Sequence, residues 1–583
     1  MGRIIFEHSA YRGAEVACMS VLVKYNDIAL GAKEAFDIEA GAKLPASNVE
    51  IIKTEGAKFK RYDVPFELNS MILDGGAEFL PENAIADIGF ISEQMSVENG
   101  DFETPIVFDL TADETFTSSG ITVVFDEAKN IYASRLNIKW YNGQTLLADA
   151  DFAPTSANYF CNKKVEFYNR IVISFLALNV PFNRLRVNHI EYGLRTEFSA
   201  NELRSARMIQ EIDPISTSVP INPFDFTIDS KKDIEFSFQT KQPIEVLFNG
   251  EKKATVFVKN AKRKSKTIWD IQSEDYIGLM DSVYFKGGIY SSKNALDLLD
   301  EIFKAAKVPY SVSDGFDTEV VTGYIPYTTC RDALMQVLFA IGAVADTSNS
   351  DKVNVFSLSN DVSQTITKRR ISQGQNFDNS TRVTAVELAS HAYSAIADTT
   401  TAYEAEKSGA GENIFITFSE PLHSLQIQDG SIAESGVNYA VINAGENCTL
   451  VGGRYEHTTV IKRKENPLVL SSDIENIVAV EQATLVSSSN IDKLLEMCYN
   501  YLVNTDQTNM KIIDGAGNRV VPNYYGSTFY GEATYGTMLV RTMTTVGDLI
   551  EYETEYLGNK TGRIVKQSFA LVGGMLIKDS VVR

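Results

Sequence analysis

The chain has 583 residues, of which 44% are hydrophobic and 22% are charged, and its formal net charge is −22. This length exceeds what one hydrophobic core usually serves, and the composition is that of a folded protein, so we expect three or four domains. The acidic balance argues against a specific nucleic-acid-binding surface and would repel DNA from any channel that the chain lines, although solubility alone explains it equally well.

The cysteines are scattered and odd in number, at positions Cys18, Cys161, Cys330, Cys448 and Cys498. With no C-x-x-C spacing, they predict neither a disulfide framework nor a zinc site, and they indicate assembly in a reducing cytoplasm. The first eight residues lack the apolar stretch of a signal peptide, and the longest apolar run, 171–180, is too short to span a bilayer. We therefore expect no membrane insertion.

Residues 1–196 read as mainly β, with strands at 120–125, 135–140 and 170–175 separated by turn signals such as 141–143. Strands at this spacing predict a two-sheet sandwich. Residues 197–212 read as a partly helical connector, and the prolines that follow extend a linker over 197–221.

Residues 222–375 begin with strand-like runs at 222–229, 233–238 and 243–248, and Asn249-Gly250 after the third is a hairpin signal. Strands at 254–258 and 266–271 pair around a basic turn. From Lys293 the apolar period becomes helical through Ala306, with Ser292 as the N-cap, and a second helix covers 329–342. Short strands followed by two amphipathic helices predict an antiparallel barrel with a helical subdomain at about 291–345.

Residues 376–583 form a second β-rich segment. Its early strands are 413–418 and 457–461, and a helix at 491–503 carries an apolar stripe, with Ser489 near its cap. The last strands, 548–556 and 562–571, are joined by Gly558-Asn559. The pattern predicts a second antiparallel barrel with one long helix at about 490–504.

The order of these elements resembles the hub proteins of phage tail tips and baseplates. The resemblance is carried by Pro-Phe-Asp-Phe-Thr at 223–227, Lys-Gln-Pro-Ile-Glu-Val at 241–246, Asp-Tyr-Ile-Gly-Leu at 275–279, Gly-Gly-Ile-Tyr at 287–290, and the helix sequence 331–342. No single run is specific, but the ordered set recurs in prophage tail proteins. Gly-Asp-Leu-Ile at 547–550 is similar to a closing strand of the family's second barrel.

This resemblance implies a mainly β virion protein without enzymatic activity, assembled in the bacterial host cytoplasm into the tail. Family hubs are homotrimers whose two barrels per chain form a pseudo-sixfold ring that matches the hexameric tail tube. The implied partners are the tail tube, a distal tail protein, and a spike or fibre. A phage-tail-like bacteriocin particle would fit equally.

The N-terminal segment resembles a discoidin-type jelly roll in the runs 116–125, 140–143, 181–186 and 189–193. Members of that family often bind glycans through loops at one end of the sandwich. A host cell-surface glycan and a role in host attachment are therefore implied for this module.

Two alternatives remain open: a glycan-binding surface adhesin and a cell-wall-degrading tail enzyme. The expected lack of a signal peptide counts against the first. For the second, the chain ends at the expected second barrel, and no nucleophile elbow, phosphate loop, dinucleotide fingerprint or paired histidine motif is present. The sequence predicts no catalytic residue, no cofactor and no metal ligand, although folding could still bring two carboxylates together.

Glu551, Glu553 and Glu555 alternate along one strand and so share a face, which is either the wall of a central channel or a solvated outer surface. The basic turn containing Lys262, Arg263 and Lys264 is either a subunit contact or a solvated hairpin tip. We list both as candidate sites.

Aromatic candidates for a glycan or partner contact are Trp140, Tyr141, Tyr524, Tyr525 and Tyr530. Tyrosine in glycine-rich stretches suits contact loops because its ring is rigid and amphipathic. The competing interpretation places the same rings in the core of a sandwich or a hairpin.

Three further residues have a chemical alternative to a structural role. Asp149 and Asp151 could share a calcium ion, although a polar loop is the commoner case. Cys330 near a helix start could have a lowered pKa, although a buried thiol is the default.

Overall fold

The computed structural model of the chain describes residues 21–29, 31–53, 62, 67–68, 78–85, 87–199, 201–230, 240–248, 251–368, 371–379, 381–404, 413–470, 474–504, 506–512, 544–554, 558–572 and 575–583. These residues divide into two compact units. The first unit comprises residues 24–197 with 242–244, and the second comprises 21–23, 198–241 and 245–583. Most of the described residues lie in strands, which confirms the mainly β class.

The first unit is built from strands and two short helical turns. Its elements are β1 (Val21–Ile28), α1 (Ala32–Ala35), β2 (Asp37–Ala40), a 3-10 turn (Val49–Lys53), β3 (Phe90–Met95), β4 (Asp101–Phe125), β5 (Ala133–Asn142), β6 (Thr145–Phe152), β7 (Asn158–Leu178), β8 (Arg184–Glu191) and β9 (Gly193–Ser199). The sheet order is β3-β8-β4-β7-β5-β6, with β2 also paired to β4.

The long strands β4 and β7 organise this unit. Their ladder is interrupted by register shifts, for example between Thr111 and Phe116, and such bulges bend a strand and increase its twist. On β5 every second residue from Leu136 to Trp140 is buried, as one-sided packing requires. The strands predicted at 120–125, 135–140 and 170–175 lie inside β4, β5 and β7 and are confirmed.

The second unit contains all the remaining strands and the longer helices. Its strands are β10 (Leu203–Glu211), β11 (Phe224–Asp229), β12 (Pro243–Phe248), β13 (Glu251–Arg263), β14 (Ile268–Glu274), β15 (Tyr284–Phe285), β16 (Gly288–Asn294), β17 (Tyr310–Val312), β18 (Val320–Ile325), β19 (Thr328–Thr329), β20 (Val344–Asp346), β21 (Val353–Phe356), β22 (Gln364–Ile366), β23 (Ile371–Asn379), β24 (Ala385–Glu404), β25 (Asn413–Thr417), β26 (Leu422–Ser435), β27 (Tyr439–Glu465), β28 (Ile477–Val480), β29 (Asp506–Ile512), β30 (Leu549–Glu553), β31 (Asn559–Val572) and β32 (Met575–Val582). Its helices are α2 (Tyr276–Met280), α3 (Ala295–Ala306), α4 (Cys330–Ile341) and α5 (Ile491–Leu502).

The main sheet of the second unit runs in the order β23-β29-β32-β31-β10-β11-β14-β13-β12 and is curled as a half-barrel. Strands from both halves of the sequence therefore share one ladder: β10 pairs antiparallel with β11 on one side and with β31 on the other. The runs 233–238 and Asn249-Gly250 lie outside the described residues.

The partly helical connector predicted at 197–212 is wrong, because residues 203–211 form β10. From Ala206 onward buried and less buried residues alternate, with Met208 and Gln210 on the buried side, which is a strand period. The partner strand β31 lies more than 350 residues further along the chain, so local sequence does not reveal the pairing.

Helices α3 and α4 lie where the sequence predicts them, but the first cap is different. Asn294, not Ser292, caps α3: its Oδ1 accepts from Leu296 N at 2.8 Å. Ser292 instead has a left-handed φ of 52°. Thr329 caps α4, as a β-region residue with a side-chain acceptor does.

Helix α5 packs on a second, five-stranded sheet of this unit, in the order β25-β27-β24-β28 with β26 paired to β27. Ile491, Leu494 and Cys498 of the helix share a core with Val386 and Leu388 of β24. Ser489 makes no cap bond, because no side chain caps α5. The strands predicted at 413–418, 457–461, 548–556 and 562–571 correspond to β25, part of β27, β30 and β31.

Candidate contact and assembly sites

The acidic strand β30 presents two of the three predicted glutamates on one face. Ile550 is buried, whereas Glu551 and Glu553 on the opposite face are half-exposed. Glu551 accepts from Thr365 Oγ1 at 3.3 Å, and Glu553 accepts from the backbone N–H of Lys368 at 2.8 Å. Glu555 lies outside the described residues.

The basic turn between β13 and β14 is exposed, and two of its three predicted cations have partners within the hairpin. Arg263 donates to the carbonyl of Lys266 at 2.8 Å, and its guanidinium lies 5.3 Å from the centre of the Trp269 ring. Lys264 pairs with Asp270 at 2.5 Å, and this hydrogen bond lowers the pKa of the carboxyl. Lys262 is exposed beside them. Pairing within the hairpin therefore engages two of the three positive side chains.

Trp140 lies in the core of the first unit with 0% of its surface exposed. This agrees with the competing interpretation of the sequence, which places the ring in a sandwich core. It therefore presents no ring face for a sugar. Tyr141 is half-buried, and the guanidinium of Arg170 lies 5.4 Å from its ring centre while donating to both carboxylate oxygens of Asp109, at 2.8 and 2.5 Å. Tyr524, Tyr525 and Tyr530 lie outside the described residues.

The aspartates that could have shared a calcium ion are held by an amide. Asn137 Nδ2 donates to Asp149 at 2.7 Å and to Asp151 at 2.9 Å. Among the residues that the structure describes, no three His, Cys, Asp or Glu side chains are grouped as a metal site needs. Burial raises the pKa of Cys330 to about 11, the reverse of what a reactive thiol needs.

Two histidines that look isolated in the sequence meet across the β24–β27 ladder. His391 Nδ1 and His457 Nε2 are 3.0 Å apart, and the ring of Tyr393 stacks on His457 with centroids 4.6 Å apart. Burial, and then the neighbouring His457, lowers the pKa of His391. The two residues are 66 positions apart, so no spacing rule finds them.

A buried polar network joins the start of the main sheet to the helical subdomain. Asp275 caps α2 by accepting from Gly278 N at 2.9 Å, and it also accepts from Asn222 N at 3.1 Å and from Thr347 Oγ1 at 2.6 Å. Asn222 Nδ2 donates to Asp346 at 3.2 Å. Burial raises the pKa of both carboxyls, that of Asp346 to about 6. All these groups are bonded within the network, which is structural.

A cavity of about 480 Å³ lies in the second unit beside β28. Its walls are Ser216, Thr217, Met335, Gln336, Phe339, residues 478–483 and Leu502. Gln336 is already engaged, donating to the carbonyl of Gln482 at 2.8 Å and accepting from Thr484 N at 2.9 Å. The remaining wall mixes the apolar side chains of residues such as Met335 and Phe339 with the polar Ser216, Thr217 and Glu481.

No helix within the described ranges has the length and apolar character needed to cross a bilayer. No protein-family model matches the chain. A search of curated proteins finds no match either.

Several solved structures are similar to the chain. One is the tail protein from Neisseria meningitidis MC58, with 11% identity, coverage of 66% of this chain and 93% of that chain, and a TM-score of 0.40. The prophage MuSo2 43 kDa tail protein from Shewanella oneidensis has 8% identity, 67% and 94% coverage, and a TM-score of 0.39. Prophage tail protein gp18 from Listeria monocytogenes EGD-e has 11% identity, 66% and 90% coverage, and a TM-score of 0.36.

These structures are tail proteins, the class that the five sequence runs resemble.

Proposed function

We propose that the chain is a structural protein of a phage, or of a phage-tail-like particle, that forms a trimeric hub around the tail channel. It acts by assembly and not by catalysis. Its partners are other copies of itself, the tail tube, a distal tail protein, and a spike or fibre.

The observation that carries this proposal is that four of the five sequence runs of the resemblance lie in the second unit, while residues 242–244 of the run 241–246 are grouped with the first. Runs 223–227 and 241–246 fall on β11 and β12, run 275–279 on α2 with its cap, run 287–290 at the start of β16, and run 331–342 on α4.

The first, third and fifth runs are linked through residues that directly flank them. Asp275 of the third run accepts from Asn222 beside the first, and Arg331 of the fifth donates to Asp281 at 2.9 Å, just after α2. Arg331 also donates to the carbonyl of Val219, which precedes β11. Sequence runs that are spread over more than a hundred positions thus contribute to one local structure. This is expected if the ordered set of runs is specific to the family.

A hub also needs open surfaces through which copies can associate. Within the described residues the main sheet is curled and its end strand β23 pairs on one side only, which leaves an edge for a neighbour. Cyclic symmetry removes such edges by ring closure. The half-exposed Glu551 and Glu553, with the net charge of −22, would suit a channel through which DNA passes without adhering.

For the first unit we propose the attachment role, with Phe167 as the contact residue in place of the buried Trp140. Phe167 is 64% exposed and has a left-handed φ of 58°, an uncommon conformation for a bulky residue that often marks function. Near it in sequence, Asn169 Oδ1 accepts from Gly143 N at 2.8 Å, which ties β7 to the β5–β6 hairpin and its exposed Leu146. An exposed aromatic ring suits a sugar face or an apolar partner loop.

The direct test is the mass of the purified full chain by light scattering at several concentrations, with negative-stain images of the same sample. We expect a particle of three 64.5 kDa chains and a threefold ring. A chain that stays monomeric at every concentration would contradict the hub and favour the adhesin. Glycan binding by the intact chain that is lost in Phe167→Ala but kept in Leu146→Ala would support the attachment role.

A further inference from the structure

The pairing of β26 with β27 ends at Arg454, and beyond it β27 pairs with β24 alone. Residues 455–465 of β27 pair antiparallel with 385–395 of β24, and β24 pairs on its other side with β28 in parallel. The order β27-β24-β28 holds for residues 462–465 of β27, whereas residues 456–461 form a two-stranded ladder with β24. In the part of the chain that the structure describes, no strand pairs with the outer edge of either β27 or β28 over these residues.

The outer edge of β27 is unpaired among the described residues over 455–465. Six consecutive residues, 456–461, are exposed, and they include Val460 at 61% and Ile461 at 56%. Because successive side chains of a strand point to opposite faces, this pattern exposes both faces together with the edge. An exposed edge strand carrying large β-branched residues is a template for pairing with another chain.

The outer β28 edge borders the 480 Å³ cavity. The cavity is lined by Val478, Ala479 and Val480 in succession. A cavity above one face of a strand would meet only every second side chain, so this one lies along the strand's edge. Met335 and Phe339 of α4 and Leu502 of α5 give it an apolar wall. It is therefore an apolar-walled slot beside the strand edge, with Ser216, Thr217 and Glu481 also in its lining, that has room for a side chain of an added strand.

We propose that residues 456–461 of β27 in one copy of the chain pair with β28 in the next copy, so that this sheet continues from subunit to subunit. This inference rests on the ring proposed above and names the surfaces that form it. The two edges lie on opposite sides of one small sheet, so the contact is head-to-tail, and a head-to-tail contact produces a ring when its rotation closes. Val460 or Ile461 then enters the apolar slot.

The charges that flank the two edges are complementary. Glu475 and Glu481 lie at the two ends of β28, and Lys462, Arg463 and Lys464 directly follow the open run of β27. Within one chain these cations already have partners: Lys462 pairs with Asp492, Lys464 with Glu496, and Arg463 with Glu387, Glu465 and Glu475. A contact between copies would share them with these partners. Opposite charges at the rim fix the register and speed association, so the subunit contact should weaken as salt is added.

The first experiment is disulfide trapping in the full chain with Val460→Cys and Ala479→Cys combined. Both positions are exposed, and the described native cysteines are buried. Under mild oxidation we expect a covalent ladder on non-reducing gels that ends at three chains. Each single variant, and Val362→Cys combined with Ala479→Cys, should give no ladder, since Val362 is an exposed valine outside the proposed contact.

The second experiment uses Val460→Lys, with Val362→Lys as the matched control. Because Val460 is exposed in the isolated chain, its replacement should leave the fold intact, which far-UV circular dichroism checks. We expect the trimer of the Val460 variant to dissociate at a concentration at least about tenfold higher than the wild type, as the loss of one buried aliphatic contact implies. The control should dissociate like the wild type.

The outcomes separate the two proposals. A wild-type trimer that neither cross-links through the cysteine pair nor weakens in Val460→Lys would overturn the β27–β28 contact and leave the hub standing. A wild-type chain that is monomeric at all concentrations would overturn both. Trapping that continues beyond three chains would contradict the closed ring and keep the edge pairing.

Discussion

At the scale of single residues, the most informative group is the buried carboxyl of Asp346, whose surroundings disfavour its ionised form. Burial raises the pKa of Asp346 to about 6, with the nearby Asp275 adding to the effect and hydrogen bonds from Ser348 opposing it. A carboxyl whose folded-state pKa exceeds its unfolded value destabilises the fold once it is ionised. Stability should therefore fall as the pH rises from about 4 to about 6, and the loss should be complete above that window.

We predict that Asp346→Asn removes this dependence and raises the free energy of unfolding at neutral pH by about 1 to 3 kcal/mol. The amide oxygen can still accept from Ser348 and Asn222. Denaturant unfolding at several pH values across this window measures the free energy of unfolding, and Asp314→Asn at an exposed position is the control. A variant that is less stable than the wild type at neutral pH would mean that the network needs the carboxylate.

A second residue-level prediction concerns Trp140, whose burial indicates a core role and not a binding role. Trp140→Ala should lower the free energy of unfolding of the first unit by about 3 to 5 kcal/mol, because it leaves a large cavity among packed side chains. Thermal unfolding measures it, with Tyr141→Ala as the half-buried neighbour. An unfolding temperature equal to that of the wild type would contradict the core assignment.

At the scale of elements, the helices show what sequence can predict. Their apolar residues recur within one turn, so the period alone locates α3 and α4 to within two residues. The cap of α3 could not be read in the same way, because Ser292 and Asn294 are both good cap residues. The choice depends on β16, which continues to Asn294 and brings its side chain onto the carbonyl of Asp317 at 2.9 Å.

We predict that Asn294→Ala lowers the free energy of unfolding by about 1 kcal/mol, the usual cost of losing an N-cap, whereas Ser292→Ala changes it little. Both changes remove a small polar side chain two positions apart, so each is the control of the other. Chemical denaturation followed by circular dichroism at 222 nm compares them. Equal losses for the two variants would put the helix start at Ser292.

The sequence does not predict elements whose partners are distant along the chain. Its pattern indicates a partly helical connector where strand β10 lies, because the alternating run is short and its partner β31 is far away in sequence. The His391–His457 pair and the slot beside β28 also arise from segments far apart in sequence. Local period predicts an element, but only the assembled sheet decides what lies next to it.

At the scale of the whole molecule, the two units have separate hydrophobic cores. The core of the first unit draws on β4, β5, β7 and β8, and the cores of the second are made of other residues. We predict two transitions in calorimetric unfolding of the full chain. Trp140→Ala should shift only one of them and Asn294→Ala only the other, whereas one transition that moves in both variants would indicate a single cooperative unit.

The position of β10 between β11 and β31 has a consequence for synthesis. Glu211 at the end of β10 receives its ion pair from Lys566, 355 residues later. At translation speeds of about 5 to 20 residues per second, the ribosome adds the second neighbour of β10 only after roughly 20 to 70 seconds. During that interval the nascent chain carries an unfinished sheet, and whatever shields it from other nascent copies sets the yield of folded protein.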